Sequence, residues 1–595
     1  MIASRARPAF GLLLALSLAT AAGGAAAQSD GSDPLLLIPF DDDTSATGNT
    51  GGSITSVPSS SDGLEVESLA PVSASAAGTL NAGSGGFSVD MWRRSDPGLV
   101  VALLPDLPGG SGSPTTVELA RRLLLTAANP PEGADADFLA MRMARLNALG
   151  LPGDTRDLAA SAGRSALSAA AMAALADAAF LQSDVQEGCR SVRDGMALGD
   201  DVDLQKAMVF CQRLAGEDAA ADLGITLLQE SGIALEPQFL ALNNALASGT
   251  RGKLESLEGA RGLIFAMALE SDLAFTSALI ASAPAAVQRA IADSPALDSD
   301  VRLAAAESAT AQGVMAGSDL AALYESIPFT PDALANALSQ ADAMDNGTAH
   351  ALLYQASRTQ QLPAARAEAL ASLLHHAAET GGAQGYLAAA RAVAGQIASL
   401  QPASELAWFS ADASAALLMA GRPESAARWW PLLLDRSQGS TDFAARATAL
   451  WPLFRLAFGE QLPDGGSGMA GWWQSSAGAG DERRLVLAET YLAAFAALND
   501  SAGAPIVADV IALAPARENA AAPAVLLFAM EQAAAAGEAG QTVLIALVAL
   551  GPQGPAGADP LTLKTVIAAL DAVGLGVEGR LLAMEAGGQR AIAKP

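Results

Sequence analysis

The chain has 595 residues, 34 basic against 63 acidic, a formal net charge of −29 and 51% hydrophobic residues. That length exceeds what one hydrophobic core supports, so several domains or a repeat array are expected. The excess of negative charge argues against nucleic acid and anionic lipid as partners.

The N-terminus reads as a secretory signal. Arg5 and Arg7 precede an apolar run from Phe10 to Ala22, and Ala25 to Ala27 offer a small-residue cleavage site. The run is too short to span a bilayer, which needs about 20 residues. Residues 1–27 are therefore expected to be removed near Ala27, leaving a soluble periplasmic chain with no membrane span. Loss of Arg5 and Arg7 takes the net charge from −29 to −31.

Residues 28–113 read as a low-complexity, largely disordered arm. Asp41 to Ser45, Gly48 to Gly52, Ser59 to Ser61 and Gly83 to Gly86 bury too little apolar surface to order themselves. Two apolar islands interrupt the arm: Pro34 to Phe40, and Met91 and Trp92 followed by Leu99 to Leu104. Such an island either docks on a partner or packs onto the chain's own body. The second reading is favoured for residues 87–104, and both stay open for 34–40. Asp41, Asp43 and Ser45 alternate like calcium-loop ligands, but the loop's Gly at position six and Glu at position twelve are missing, so no metal is expected there.

From Thr115 onward the apolar period is helical, and no alternating strand follows. Three segments are expected: 114–400, a Trp-rich 401–475, and 476–595. Thr115 and Glu118 fit a capping box, Leu119, Leu123 and Ala127 share a stripe, and Asn129 to Pro131 stop the run. Leu139, Met143 and Leu146 line the next face, which ends at Gly150 and Pro152. Ser165 to Gln182 is apolar nearly all round, with Asp177 inside it, and reads as a buried helix. Cys189 and Cys211 lie on two helical patterns either side of a turn at Ala197 to Asp201, so an antiparallel hairpin brings them together. In an oxidising compartment a structural disulfide worth about 3 kcal/mol is expected. A redox pair is set aside because C-x-x-C is absent.

Catalytic vocabulary is thin. His375 and His376 are adjacent on a helical run and point about 100° apart, so they cannot chelate one metal from one face. Nothing in the sequence places His350 beside them. All three read as solvated or core histidines, and no metal or cofactor is expected. Gly466 to Gly471 matches G-x-G-x-x-G but follows a helix rather than a strand, so it is no phosphate cradle. Six of the seven tryptophans, Trp408, Trp429, Trp430, Trp451, Trp472 and Trp473, fall within 408–473. They either line a groove for a peptide or glycan, with Arg428, Arg436 and Arg455 at its rim, or fill space in an alanine-built core. The adjacent pairs force at least one ring of each off a strictly one-sided face.

Successive helix pairs share a texture of apolar helix, small residue plus Gly, short turn and Ala-rich helix. Ala415 to Trp429 shows it most clearly, and Glu531 to Gly540 and Ala569 to Gly579 repeat it. Gly421 at the end of a first helix and Ala426 five residues later resemble the tetratricopeptide-type (TPR-like) helical repeat over residues 405–434. The strict 34-residue period is missing, the Gly421, Gly537 and Gly574 units lying 116 and 37 residues apart. The chain also resembles uncharacterised exported Ala-rich proteins of alphaproteobacteria. The resemblance implies an all-α fold, an α-solenoid of stacked helical hairpins behind a disordered N-terminal arm, and a role as scaffold. Lytic transglycosylases also carry exported solenoids. Here Glu230-Ser231, Glu307-Ser308 and Glu325-Ser326 lack the G-L-M-Q-type segment of that family. The function expected is a non-enzymatic periplasmic scaffold or adaptor that binds a protein partner in a cell-envelope machine for motility, secretion or cell-wall assembly. The alternatives are a cell-wall or glycan hydrolase whose carboxylate pair is not located by sequence, and a purely structural stress-related protein.

Overall fold

The structure is a computed structural model describing residues 73–134, 137–462, 466–513 and 521–592. The expected signal peptide, the Pro34 to Phe40 island and the Asp41 to Ser45 run lie outside these residues. The described residues form helices and no strand, apart from one isolated bridge between Leu80 and Thr126. They fall in one compact unit, Ala70–Pro595. No described helix is long and apolar enough to cross a membrane.

Local chemistry sets the helix ends. Helix Pro114–Leu125 is capped by Ser113, two residues before the expected cap Thr115. Pro114 presets a helical φ at the first position, and the Ser113 hydroxyl accepts from the Thr116 N–H at 3.1 Å. Thr115 therefore lies inside the helix. Helix Ala169–Leu181 is buried over most of its circumference, as its apolar sequence requires. At Gly421 the chain takes a left-handed φ of 67°, which ends helix Ser410–Met419 and admits the turn into Pro423–Ala427. Helix Pro363–Ser399 is broken where Gly382 takes φ 60°.

Cys189 on helix Val185–Met196 and Cys211 on helix Val202–Leu214 are disulfide-bonded, with Cα atoms 5.7 Å apart. The hairpin turn falls at 197–201, where the sequence places it.

The expected disordered arm is corrected over residues 73–113, which belong to the folded unit. Trp92 sits edge-on against Phe138 with ring centroids 6.2 Å apart, and Phe87, Met91, Val100, Leu104 and Leu107 are buried. The Phe87 N–H donates to Thr126 Oγ1 at 3.0 Å. The buried Arg142 guanidinium donates to the carbonyls of Ser75, Ala77, Leu124 and Thr126, fixing this segment to the C-terminal end of helix Pro114–Leu125. The packing of residues 87–104 onto the body is as the sequence favoured, whereas the bonds from Arg142 to Ser75 and Ala77 carried no sequence signal.

The two ends of the described chain also meet. Helix Gly576–Ile592 packs against Pro114–Leu125. Glu585 accepts from the Ser113 hydroxyl and from Thr115 Oγ1 at 2.7 Å, Arg122 pairs with Glu578 at 2.6 Å, and Gln589 Nε2 donates to the Gly112 carbonyl at 2.8 Å. In a linear solenoid each repeat touches only its neighbours, so this junction departs from simple stacking.

Candidate functional site

The tryptophan segment forms core. Trp429 and Trp430 are 0% and 1% exposed, and Trp472 and Trp473 are 4% and 5% exposed, so these four rings do not line an open groove. Trp429 packs edge-on against Phe409 and Trp430 against Phe454, two different neighbours on two sides of one turn. Trp472 abuts Tyr491, and the Arg484 guanidinium lies 3.4 Å above the Trp473 ring. Trp451 is half-buried and Trp408 is 38% exposed beside Phe409. The expected rim arginines are engaged elsewhere. Arg428 donates to the Ala398 and Leu400 carbonyls and to Gln401, at the end of helix Pro363–Ser399. Arg455 makes a two-point pair with Asp500 at 2.8 and 2.9 Å, and Arg436 covers the Phe443 ring.

The open concave site lies elsewhere, around the one charged residue of the apolar Ala169–Leu181 helix. A cleft of about 660 Å³ runs between helices Phe138–Ala148, Ala169–Leu181 and Ala285–Asp293, reaching residues 259–261. Its walls are small: Ala140, Ala144 and Ala148 on one side, Ala170, Ala173 and Ala174 beside them, and Pro284 to Val287 opposite. Side chains of this size let the helices stand close while leaving a smooth apolar slot.

Asp177 is fixed from three directions. Asn147 Nδ2 donates to Asp177 Oδ2 at 3.2 Å and to the Ala174 carbonyl at 2.8 Å, and Asn147 Oδ1 accepts from Thr155 at 2.7 Å. The N–H groups of Gly262 and Leu263, at the start of helix Gly262–Glu270, donate to the Asp177 carboxylate. A Cβ on Gly262 would stand 2.3 Å from the Asp177 carbonyl oxygen, so this approach requires glycine. Arg261 bridges Asp203 at 2.6 Å and Asp177 at 4.0 Å. Burial pushes the Asp177 carboxyl above its ordinary value, against the pull of Arg261 and the two N–H groups. The adjacent Asp177 in turn raises the Arg261 guanidinium. Arg145 donates to the Pro105 carbonyl at 2.5 Å, and burial with the nearby Arg261 charge lowers its pKa. Asp137, Asp177, Asp201 and Asp203 thus face two guanidiniums that are both already engaged. Beyond Arg261 a smaller recess holds the Lys206–Glu236 pair at 2.8 Å. The sequence offered one signal for this site, a carboxylate inside an otherwise apolar helix. Its partners lie far along the chain and carry no motif.

The structure places His350, which the sequence did not position, in the core and leaves His375 exposed. His350 stands directly beside His376, its Nε2 3.0 Å from His376 Nδ1, while its own Nδ1 is 2.7 Å from Glu307 Oε1. The Tyr324 hydroxyl donates to the same carboxylate oxygen at 2.8 Å. The two ring nitrogens of His350 thus face the Glu307 carboxylate on one side and His376 on the other. Burial, then the adjacent His350, lowers the His376 pKa. His375 points away towards Asp412 at 3.7 Å. Among the described residues no group of three or more His, Cys, Asp or Glu is placed to hold a metal. Glu307 is thus engaged with a tyrosine and a histidine, and Glu325 pairs with Arg358. Comparison with protein families, curated proteins and solved structures finds no match to this chain.

Proposed function

We propose that this chain is an exported, non-enzymatic helical-repeat scaffold that holds an extended basic segment of a protein partner in the cell envelope, within the alanine-walled cleft. The observation that carries the reading is the cleft itself. It is a cleft of about 660 Å³ lined by four carboxylates, Asp137, Asp177, Asp201 and Asp203, against two guanidiniums, Arg145 and Arg261. Such an acidic cleft favours a chain bearing lysine or arginine, and the net charge of −29 draws it in.

Two further features support the wider reading. Asn147 to Asp177, Lys206 to Glu236, Arg213 to Asn243 and Arg289 to Asp319 are each tied across 30 residues, as a stacked helix-pair unit close to the TPR length would tie them. The disulfide suits an oxidising compartment.

The test is titration of a fluorescent Lys–Ala peptide with the full chain. Saturable binding that weakens as salt rises is expected. It should weaken in Asp203→Asn and be lost in Ala144→Trp, a substitution at an exposed wall position. Unchanged binding in Ala144→Trp, or equal binding of a Glu–Ala peptide, would overturn the reading.

A further inference from the structure

A second cavity, of about 370 Å³, lies at the junction of the chain's two ends. It is bounded by segments distant in sequence: 111–112, 312, 383–387, 552–557 and 589–592. Ser111 and Gly112 are held there by their N–H bonds to the Gln312 carbonyl at 3.4 and 3.0 Å. Four carboxamides line it, Gln312, Gln384, Gln553 and Gln589, and no carboxylate does, in a chain carrying 63 acidic residues.

The single charged side chain in the lining is anchored away from the other lining residues' carboxamides. Arg590 gives three of its five N–H groups to the carbonyls of Ala556 and Ala558 and to Thr490 Oγ1. Without a carboxylate the cavity holds no counter-charge for a cation. Gln589 uses its Nε2 on the Gly112 carbonyl, so its oxygen is the part left over. The carboxamides of Gln312, Gln384 and Gln553 have no hydrogen-bond partner among the described residues. A carboxamide donates and accepts at once, which matches hydroxyl groups that also do both. Leu387, Pro552 and Ile592 add apolar wall for a C–H face. Its volume is that of a small-molecule site with a few convergent polar groups.

We propose that this cavity binds an uncharged small saccharide through Gln312, Gln384 and Gln553. The site is distinct from the alanine-walled cleft, although Gln312 borders both, and it stands whether or not the cleft holds a basic segment. Calorimetric titration of the full chain with N,N′-diacetylchitobiose and with maltose tests it. Saturable binding of at least one sugar is expected. It should be about tenfold weaker in Gln384→Ala and in Gln553→Ala, each losing a hydrogen bond to the ligand. Both side chains are exposed, so the thermal midpoints of these variants should stay at the wild-type value. Ala144→Trp, which fills the other cleft, should leave sugar binding unchanged. Absence of heat with both sugars, or affinity unaltered in both glutamine variants, would overturn the proposal. So would displacement of the sugar by triglycine, which would assign the carboxamides to a peptide main chain.

Discussion

Two buried arginines show how a chain poor in charge uses what it has. Arg142 and Arg391 face backbone carbonyls and make no ion pair. Arg391 donates to Thr310 and Ala311 at the end of helix Ser299–Ala311 and to Gly112 across the junction. Each guanidinium satisfies carbonyls that a helix end leaves unpaired, and burial lowers each pKa to about 10. Glu585 belongs to the same junction, and burial raises its carboxyl. A carboxyl whose folded pKa lies above its unfolded value loses stability as pH rises from the ordinary carboxylate range through the raised one. Glu585→Gln keeps an acceptor for Thr115 and presents its amide N–H to the Ser113 hydroxyl oxygen. Its thermal midpoint should therefore rise relative to wild type between acidic and neutral pH, and match it below the ordinary glutamate range. The tryptophans make a second case. Trp430→Ala should cost about 3–5 kcal/mol in denaturant unfolding. Trp430→Phe should cost less than half of that, since it also removes an indole N–H that has no acceptor among the described residues. The sequence placed at least one ring of each adjacent pair off a strictly one-sided face and left groove or core open. Trp429 and Trp430 are both buried because this turn is flanked on two sides, by Phe409 and by Phe454.

At the scale of elements, short-range patterns were legible and long-range ones were not. The Val185–Met196 and Val202–Leu214 hairpin follows from two periodic runs around an Asp-rich turn, and the cysteine pairing follows from equal distance to that turn. Replacing both with serine should lower stability by about 3 kcal/mol, read as a shift in the urea midpoint, and reduction of the wild-type protein should do the same. An unchanged midpoint would mean the loop is already held by other contacts. Residues 73–113 are a mixed case: the packing of Trp92 was legible as an apolar island, whereas composition predicts disorder around Ser75 and Ala77, which two Arg142 hydrogen bonds hold in place. The cleft was equally hidden. Asp177 stood out inside its apolar helix, but no sequence pattern links it to Asp203 and Arg261, which reach it only through the fold. Likewise, His350 and His376 become neighbours only through the packing of helices Asn346–Thr359 and Pro363–Ser399.

Across the whole molecule, low charge density and alanine-built helices leave few places where polar groups gather. Two of the cavities differ in chemistry: an alanine-walled cleft bordered by four carboxylates, and a cavity lined by four carboxamides. The acidic excess that first argued against nucleic acid is now also a statement about the partner, which should be basic where it enters the slot. The most direct measurement places a photo-crosslinking residue at Ala144, on the cleft wall, and at Leu223, an exposed position outside the cleft lining, in exporting cells. One discrete protein adduct from position 144, none from 223, and its loss on adding excess Lys–Ala peptide are the expected result. Equal adducts from both positions, or an adduct at 144 that the peptide fails to displace, would contradict the account.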